Sequence, residues 1–230
     1  MLLDVRNLRV EYRTSVGSLR AVDGVSFTVD EEESLGLVGE SGCGKSTLGY
    51  GLIRLLPSNG RVTEGQVLLE GHDLMSLDEA ALRTTRWQKV AMIFQNSMSS
   101  LNPVARIGDQ IADALQWNSD VTRKEALERA AADFERVGLA PSRLMQYPHE
   151  FSDGMKQRAV IALALICRPL LVVADEPTTA LLLSSQRQVL DLISILQEEL
   201  HLGLILIFRD VRRAAPTCRS ICVMFAATKL

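Results

Sequence analysis

The most constraining feature of this 230-residue chain is a glycine-rich turn at residues 39–47. It reads Gly39-Glu-Ser-Gly-Cys-Gly-Lys-Ser-Thr47 and matches the pattern GxxxxGK[ST]. A short apolar strand is predicted at residues 34–38, and a helix is predicted at residues 45–56, ending before Pro57. Strand, glycine turn and helix in this order surround an anion with backbone amides and the positive end of a helix. We therefore predict that the turn binds phosphate groups.

Each residue of this phosphate loop (residues 39–47) has a role in the prediction. The Lys45 ammonium is expected to reach the terminal phosphates, and the Ser46 hydroxyl is expected to bind Mg²⁺. The remaining residues are expected to contact the ligand through the backbone: Gly39, Glu40, Ser41, Gly42, Cys43, Gly44 and Thr47. The alternative, a glycine turn with an incidental lysine, is disfavoured by the flanking strand and helix.

Two acidic residues follow another apolar run, residues 170–174, which is typical of a buried strand. Asp175 and Glu176 then lie where a parallel sheet opens toward a ligand. Asp175 suits the magnesium side of a phosphate site, through water, and Glu176 is the candidate that polarises an attacking water. The alternative for Glu176 is a surface acid at a strand end.

Composition excludes several classes of protein. Apolar residues make up 47% and charged residues 23%, as in ordinary globular proteins. The net charge is -3 and no long run of Lys or Arg occurs, so nucleic-acid binding is not expected. The start lacks the pattern of a secretory signal, and no apolar run approaches the roughly 20 residues of a spanning helix. We expect a cytosolic chain whose membrane role, if it has one, is peripheral.

The periodicity predicts a P-loop α/β fold with a three-layer core and a mostly parallel sheet. An N-terminal antiparallel β layer is predicted from residues 2–12 and 22–29, and an inserted helical subdomain from residues 107–137. Further strands are predicted at 67–69, 90–94 and 204–208, and further helices at 155–167 and 184–200. We expect one domain over 1–230, with a core at 1–95 and 168–230 and a helical subdomain at 96–167.

The order of the motifs resembles an ABC ATPase. The phosphate loop is followed by Gln95, by the signature segment Phe151-Ser-Asp-Gly-Met-Lys-Gln-Arg158 and then by Asp175-Glu176. Two strings, residues 92–103 and 147–152, are similar to ATP-binding subunits of oligopeptide, dipeptide and nickel importers. The resemblance covers essentially the whole chain.

The resemblance implies ATP and Mg²⁺ as cofactors and a peripheral location on the cytoplasmic face of the cell membrane. It implies a second ABC ATPase subunit, identical or different, arranged head to tail with this one. Transmembrane permease subunits are implied partners, and an extracytoplasmic solute-binding protein is an indirect one. ATP hydrolysis would then drive uptake of peptides or a related small solute.

Site residues also follow from the resemblance. Gln95 is expected to sense magnesium and contact the transporter, and Tyr12 to stack on adenine, unless Tyr12 is only a packed strand residue. Ser152, Asp153, Gly154 and Gln157 occupy the signature, which is expected to contact a nucleotide held by the partner subunit. The implied catalytic residues are Glu176, Gln95, Lys45 and Arg209, and the implied magnesium site comprises Ser46, Gln95 and Asp175.

Three positions depart from the family pattern. Asp153 replaces a signature glycine and brings a carboxylate toward a polyanion, where like charges repel. Leu182, in the segment 178–183, replaces an aspartate, and Arg209 replaces a histidine. We expect nucleotide binding to survive these changes better than turnover. One alternative is therefore a binding subunit that hydrolyses poorly, or an inactivated copy. A soluble ABC ATPase without a transporter is a further alternative.

Overall fold

An antiparallel sheet forms the N-terminal β layer in the computed structural model, which describes residues 1–179 and 181–229. Its strands are β1 (Leu3–Thr14), β2 (Gly17–Val29), β4 (Gly60–Leu69) and β5 (His72–Asp73), in the order β2-β1-β4-β5. β1 pairs antiparallel with both β2 and β4. The predicted hairpin-like layer is confirmed.

A second, mostly parallel sheet carries the core of the molecule. Its strands are β3 (Ser34–Gly39), β6 (Val90–Ile93), β7 (Leu171–Asp175), β8 (Gly203–Phe208), β9 (Ser220–Phe225) and β10 (Thr228–Lys229). The order is β10-β9-β3-β8-β7-β6, and only the β10 pairing with β9 is antiparallel among the described residues. The predicted α/β fold is confirmed.

The helices cover both faces of the parallel sheet. They are α1 (Lys45–Leu52), α2 (Glu79–Gln88), α3 (Ile107–Gln116), α4 (Arg123–Arg136), α5 (Asp153–Leu165), α6 (Leu183–Glu199) and α7 (Val211–Ala214). The helical span predicted at 107–137 is divided, because Thr122 starts a new helix there. Its hydroxyl accepts from the Glu125 amide, and the Glu125 carboxylate accepts from the Thr122 amide, as in a capping box.

Helix α1 ends at Leu52, so its predicted extension to residue 56 is wrong. The Leu55 amide donates to the Tyr50 carbonyl at 2.9 Å, and the Arg54 amide donates to the Gly51 carbonyl at 3.2 Å. These two bonds form a Schellman motif, in which Arg54 occupies the left-handed position with a φ of 52°. Glycine usually fills this position. Because arginine stands here instead, the sequence did not indicate where the helix ends.

The alternation of side chains along the parallel strands divides the core into two clusters. Leu171 and Val173 face α1 and the antiparallel sheet, while Val172 and Ala174 face the helices α3 to α6. Successive residues of a strand point to opposite faces, and both faces of a parallel sheet are usually covered. Helix α1 thus lies between the two sheets, and the phosphate loop lies at its N-terminal end.

Glu32 adopts a left-handed conformation before β3, with a φ of 58°. Its carbonyl accepts from the Gln197 side chain at 2.6 Å, which ties this turn to α6. A left-handed residue costs roughly 1–2 kcal/mol when it carries a Cβ. The turn therefore suits glycine, and Glu32 adopts it at this cost.

No helix in the described part of the chain is both long and apolar enough to cross a bilayer. The division into a core and a helical subdomain at 96–167 stays a prediction, because α3, α4 and α5 share one apolar cluster with the strands β6 to β8.

Candidate functional site

Several of the predicted site residues, among them the phosphate loop, Asp175 and Glu176, lie at one edge of the parallel sheet. Strands β3, β8, β7 and β6 are neighbours and run in parallel, so their carboxyl ends meet. The phosphate loop follows β3, Asp175 ends β7, and Arg209 follows β8. Gln95 follows β6 by two residues. Ligands of open α/β sheets bind at this edge.

The phosphate loop curves around its own lysine. The Lys45 ammonium donates to the carbonyls of Gly39 and Glu40, each at 2.8 Å, and its side chain is buried. Gly44 has a φ of 99°, and a Cβ there would lie 2.1 Å from the Ala21 carbonyl oxygen. Only glycine fits at this position, directly before α1. The amides of the first turn of α1 then remain available to an anion.

Asp175 fits a cation site. Its side chain is 0% exposed, and neither carboxylate oxygen meets the geometry of a hydrogen bond among the described residues, although the Ser46 hydroxyl lies near enough to lower its pKa. Burial raises the pKa of Asp175, and the Ser46 hydroxyl and the Lys45 ammonium partly oppose this rise. A buried carboxylate without a partner is costly, and Mg²⁺ is commonly bound through one or two carboxylates together with substrate phosphates. Asp175 and Ser46 are therefore suited to Mg²⁺.

Glu176 is the centre of a polar cluster at the same edge. Its Oε2 accepts from the Thr179 hydroxyl at 2.7 Å and from the side-chain amide of Gln95 at 3.3 Å. Its Oε1 accepts from the Arg209 Nε at 2.6 Å. Sequence reasoning missed Thr179, whose position three residues after Glu176 in a turn was its only indication. The predicted residues Glu176, Gln95 and Arg209 are thus brought together.

Tyr12 lies on β1 beside the phosphate loop. Its hydroxyl is 3.2 Å from the Thr47 hydroxyl, and its ring is so close to Gly60 that a Cβ there would lie 2.6 Å from a ring carbon. The ring is partly exposed. This position is compatible both with contact to a nucleotide base and with strand packing, so the stacking role stays a prediction.

The signature segment lines a different cavity from the phosphate loop. Ser152, Asp153 and Gly154 border a groove of about 700 Å³ together with Leu182. Ser152 caps α5 by accepting from the Met155 amide at 3.4 Å. Leu182 is 80% exposed on this groove, whereas Ala180 of the segment 178–183 lies outside the described residues. The signature thus presents a helix start to a surface rather than to the chain's own phosphate loop.

Gln157 lies below that groove. It is 3% exposed, and its Oε1 accepts from the Ser97 hydroxyl at 3.4 Å. Its Nε2 is buried without a hydrogen-bond partner among the described residues. Gln157 would have to become more exposed to contact a phosphate of the partner subunit, so this predicted contact stays a prediction.

The comparison with known sequences agrees with this arrangement. A family model described as ABC transporter matches residues 22–179. The probable peptide ABC transporter ATP-binding protein y4tR of Sinorhizobium fredii is 44% identical over 229 residues, which cover 98% of this chain and 68% of the relative. The oligopeptide transport ATP-binding protein OppD of Salmonella typhimurium is 41% identical over 228 residues, with the same two shares covered. The predicted resemblance is confirmed.

Solved structures share the fold. The dimeric structure of MJ0796, described as a bacterial ABC transporter cassette, matches with a TM-score of 0.86 at 24% identity, over 99% of this chain and 96% of the other. A post-hydrolysis state of MJ0796 bound to ADP and Pi matches with the same values. The two sheets, the phosphate loop at the sheet edge and the sequence relatives lead to one conclusion: the chain belongs to the ABC transporter family.

Proposed function

We propose that this chain is the ATP-binding, ATP-hydrolysing subunit of an importer for peptides or a related small solute. The observation that carries the proposal is the phosphate loop beside the buried Asp175 and the Glu176 cluster. The relatives named as peptide transport proteins at 44% and 41% identity support the solute class. On this proposal the chain works at the cytoplasmic face of the membrane, without nucleic acid.

The residues of the site have distinct proposed roles. The phosphate-loop amides and Lys45 bind the β and γ phosphates, in exchange for the loop carbonyls that Lys45 now contacts. Ser46, Gln95 and Asp175 hold Mg²⁺, which when bound neutralises charge on the phosphates. Glu176 orients the attacking water, with Gln95 and Thr179 fixing its carboxylate.

An apolar groove next to Gln95 supports permease subunits as partners. The groove has a volume of about 500 Å³ and lies between the turn that follows α1, helix α2, strand β6 and helix α5. Leu55 and Phe94 on its wall are each 38% exposed, and Trp87 also lines it. Phe94 precedes Gln95 in the chain and stacks on Tyr50 of α1 at 5.9 Å. An apolar segment of a membrane subunit that inserts here would therefore lie directly beside the Glu176 cluster.

Nucleotide binding tests the proposal most directly. We expect calorimetry of the full chain to detect MgATP binding, and we expect Lys45→Ala to weaken it by about tenfold or more. The reason is that a hydrogen bond to a charged group is worth roughly 1.5–3 kcal/mol. Lys124→Ala is the matched control, because Lys124 is a highly exposed lysine on α4. Undetectable binding by the wild type at millimolar MgATP would reject the proposed function.

A subunit with weak turnover is the second candidate. Its support is Asp153, which adds a negative charge at the groove where a partner's phosphate would dock. Lys156 lies 3.4 Å from this carboxylate and offsets only part of the charge, since the Asp153 side chain is 65% exposed. Leu182 and Arg209 are the two further departures.

We expect Asp153→Asn to raise steady-state hydrolysis several-fold, because two unit charges about 4 Å apart repel by about 1 kcal/mol even in water. MgATP affinity of the isolated chain should stay within about twofold, since the signature does not line the chain's own phosphate loop. Asp153→Glu is the control, because it retains the charge and should not restore turnover. Equal rates for the Asn and Glu variants would contradict charge repulsion at this position.

A further inference from the structure

The ion pair between Glu176 and Arg209 occupies the carboxylate that is proposed to orient water. Arg209 Nε lies 2.6 Å from Glu176 Oε1, while Oε2 accepts from Thr179 and Gln95. Both oxygens of Glu176 are therefore engaged by protein donors. A water molecule that takes up a position on Oε1 has to compete with a guanidinium.

Glu176 is the fixed member of this pair. Its side chain is 10% exposed, and two further side chains hold it. Its backbone has a φ of 46° and donates to the Ile207 carbonyl at 3.1 Å. Movement of the carboxylate would break its hydrogen bonds to Thr179 and Gln95.

Arg209 is the movable member. Its side chain is 56% exposed and borders a cavity of about 270 Å³ at the same sheet edge. The backbone just beyond it is anchored, because the Asp210 carboxylate accepts from the Arg212 amide at 2.9 Å and caps α7. The exposed Arg209 side chain is thus free to exchange partners, and a guanidinium can pair with a carboxylate or with a phosphate.

We propose that Arg209 is a positioning residue that alternates between Glu176 and the terminal phosphate of bound ATP. Without a γ phosphate, as in the empty or ADP-bound chain, Arg209 holds Glu176. When ATP is bound, the γ phosphate competes for the guanidinium and frees Oε1 for water. This inference rests on the proposed function, because it requires a nucleotide at the phosphate loop.

A cycle of four proteins tests the exchange through binding rather than through turnover. The proteins are the wild type, Glu176→Gln, Arg209→Ala and the double variant, each titrated by calorimetry with Mg²⁺ and either ADP or a non-hydrolysable ATP analogue. Glu176→Gln removes the competing carboxylate and should tighten binding of the analogue by about fivefold, because charge-assisted pairs are the strong ones. ADP binding should change by less than about twofold, and the gain should vanish when Arg209 is absent.

The cycle separates the exchange from simple repulsion between Glu176 and the nucleotide. Repulsion predicts that Glu176→Gln tightens binding equally with or without Arg209, and that result would overturn the inference, as would an equal gain for ADP. Arg212→Ala is the matched control, because Arg212 is an exposed arginine of the same turn and should leave the coupling intact. If Arg209→Ala does not fold, Arg209→Gln takes its place in the cycle.

Failure of the inference and failure of the proposed function give different results. Absence of nucleotide binding by the wild type and all variants rejects the nucleotide site, and the inference with it. Binding by all four proteins without coupling between the two positions rejects only the exchange of Arg209.

Discussion

Replacing Glu176 by Gln is expected to lower ATP hydrolysis by about a hundredfold or more, because a positioned base contributes typically 10²–10⁴-fold. The amide retains the size of the carboxylate, and its one carbonyl oxygen can still accept from Thr179 and Gln95, so the local structure should persist. What it lacks is the negative charge that polarises water. Phosphate release by the purified full chain, measured alone and with its membrane subunits, gives the effect.

Glu198→Gln is the matched control for this prediction, since Glu198 is an exposed acid on α6. Its rate should equal that of the wild type. The Glu176→Gln variant should bind MgATP at least as tightly as the wild type, so that the loss lies in turnover alone. An unchanged rate of hydrolysis would reject the assigned role of Glu176.

Asp133→Asn is expected to destabilise the chain by about 3 kcal/mol, the lower end of the range for breaking a buried ion pair. Asp133 is buried on α4 and accepts from Arg168 at 2.6 Å and 2.9 Å and from Arg136 at 2.8 Å. Arg136 continues the network to Glu199 on α6 at 2.9 Å. The amide retains the shape but leaves two guanidinium groups without their shared charge.

Thermal unfolding measures this effect as a decrease of about 10 °C in the midpoint, since 1 kcal/mol corresponds to roughly 2–4 °C in a chain of this size. Both arginines are partly exposed and regain some solvation, which is why the lower end of the range applies. Glu128→Gln on the same helix is the control, because Glu128 is exposed and forms a loose ion pair with the exposed Lys124, at 3.9 Å. Equal midpoints for the two variants would show that the Asp133 network does not hold α4 to the core.

The phosphate site was predictable because its determinants are local in sequence. Glycines, a lysine and a flanking strand lie within about a dozen residues, and the left-handed Gly44 follows from that pattern. Asp175 and Glu176 were predictable for the same reason, as acids at the end of an apolar strand. The register between β7 and β8 then determines that Glu176 meets Arg209, and no local pattern contains that register.

Other features escaped prediction because their evidence is weak or distant. Helix α2 buries only Leu82, so its apolar periodicity was too weak to predict a helix, although Asp78 caps its start. The Asp133 network joins residues 35 positions apart, and its arginines look like ordinary surface residues in sequence. Long-range pairing of charged side chains depends on the packing of whole helices, which a single sequence does not display.

Nucleotide binding should make the folded chain more robust. Asp175 is sealed from solvent and neither of its oxygens makes a hydrogen bond in the described part of the chain, so a cation beside this carboxylate would offset the cost of its burial. A ligand that binds only the native state adds stability in proportion to the logarithm of its concentration. The cellular supply of magnesium nucleotide would then govern how long each copy of this chain escapes proteolysis.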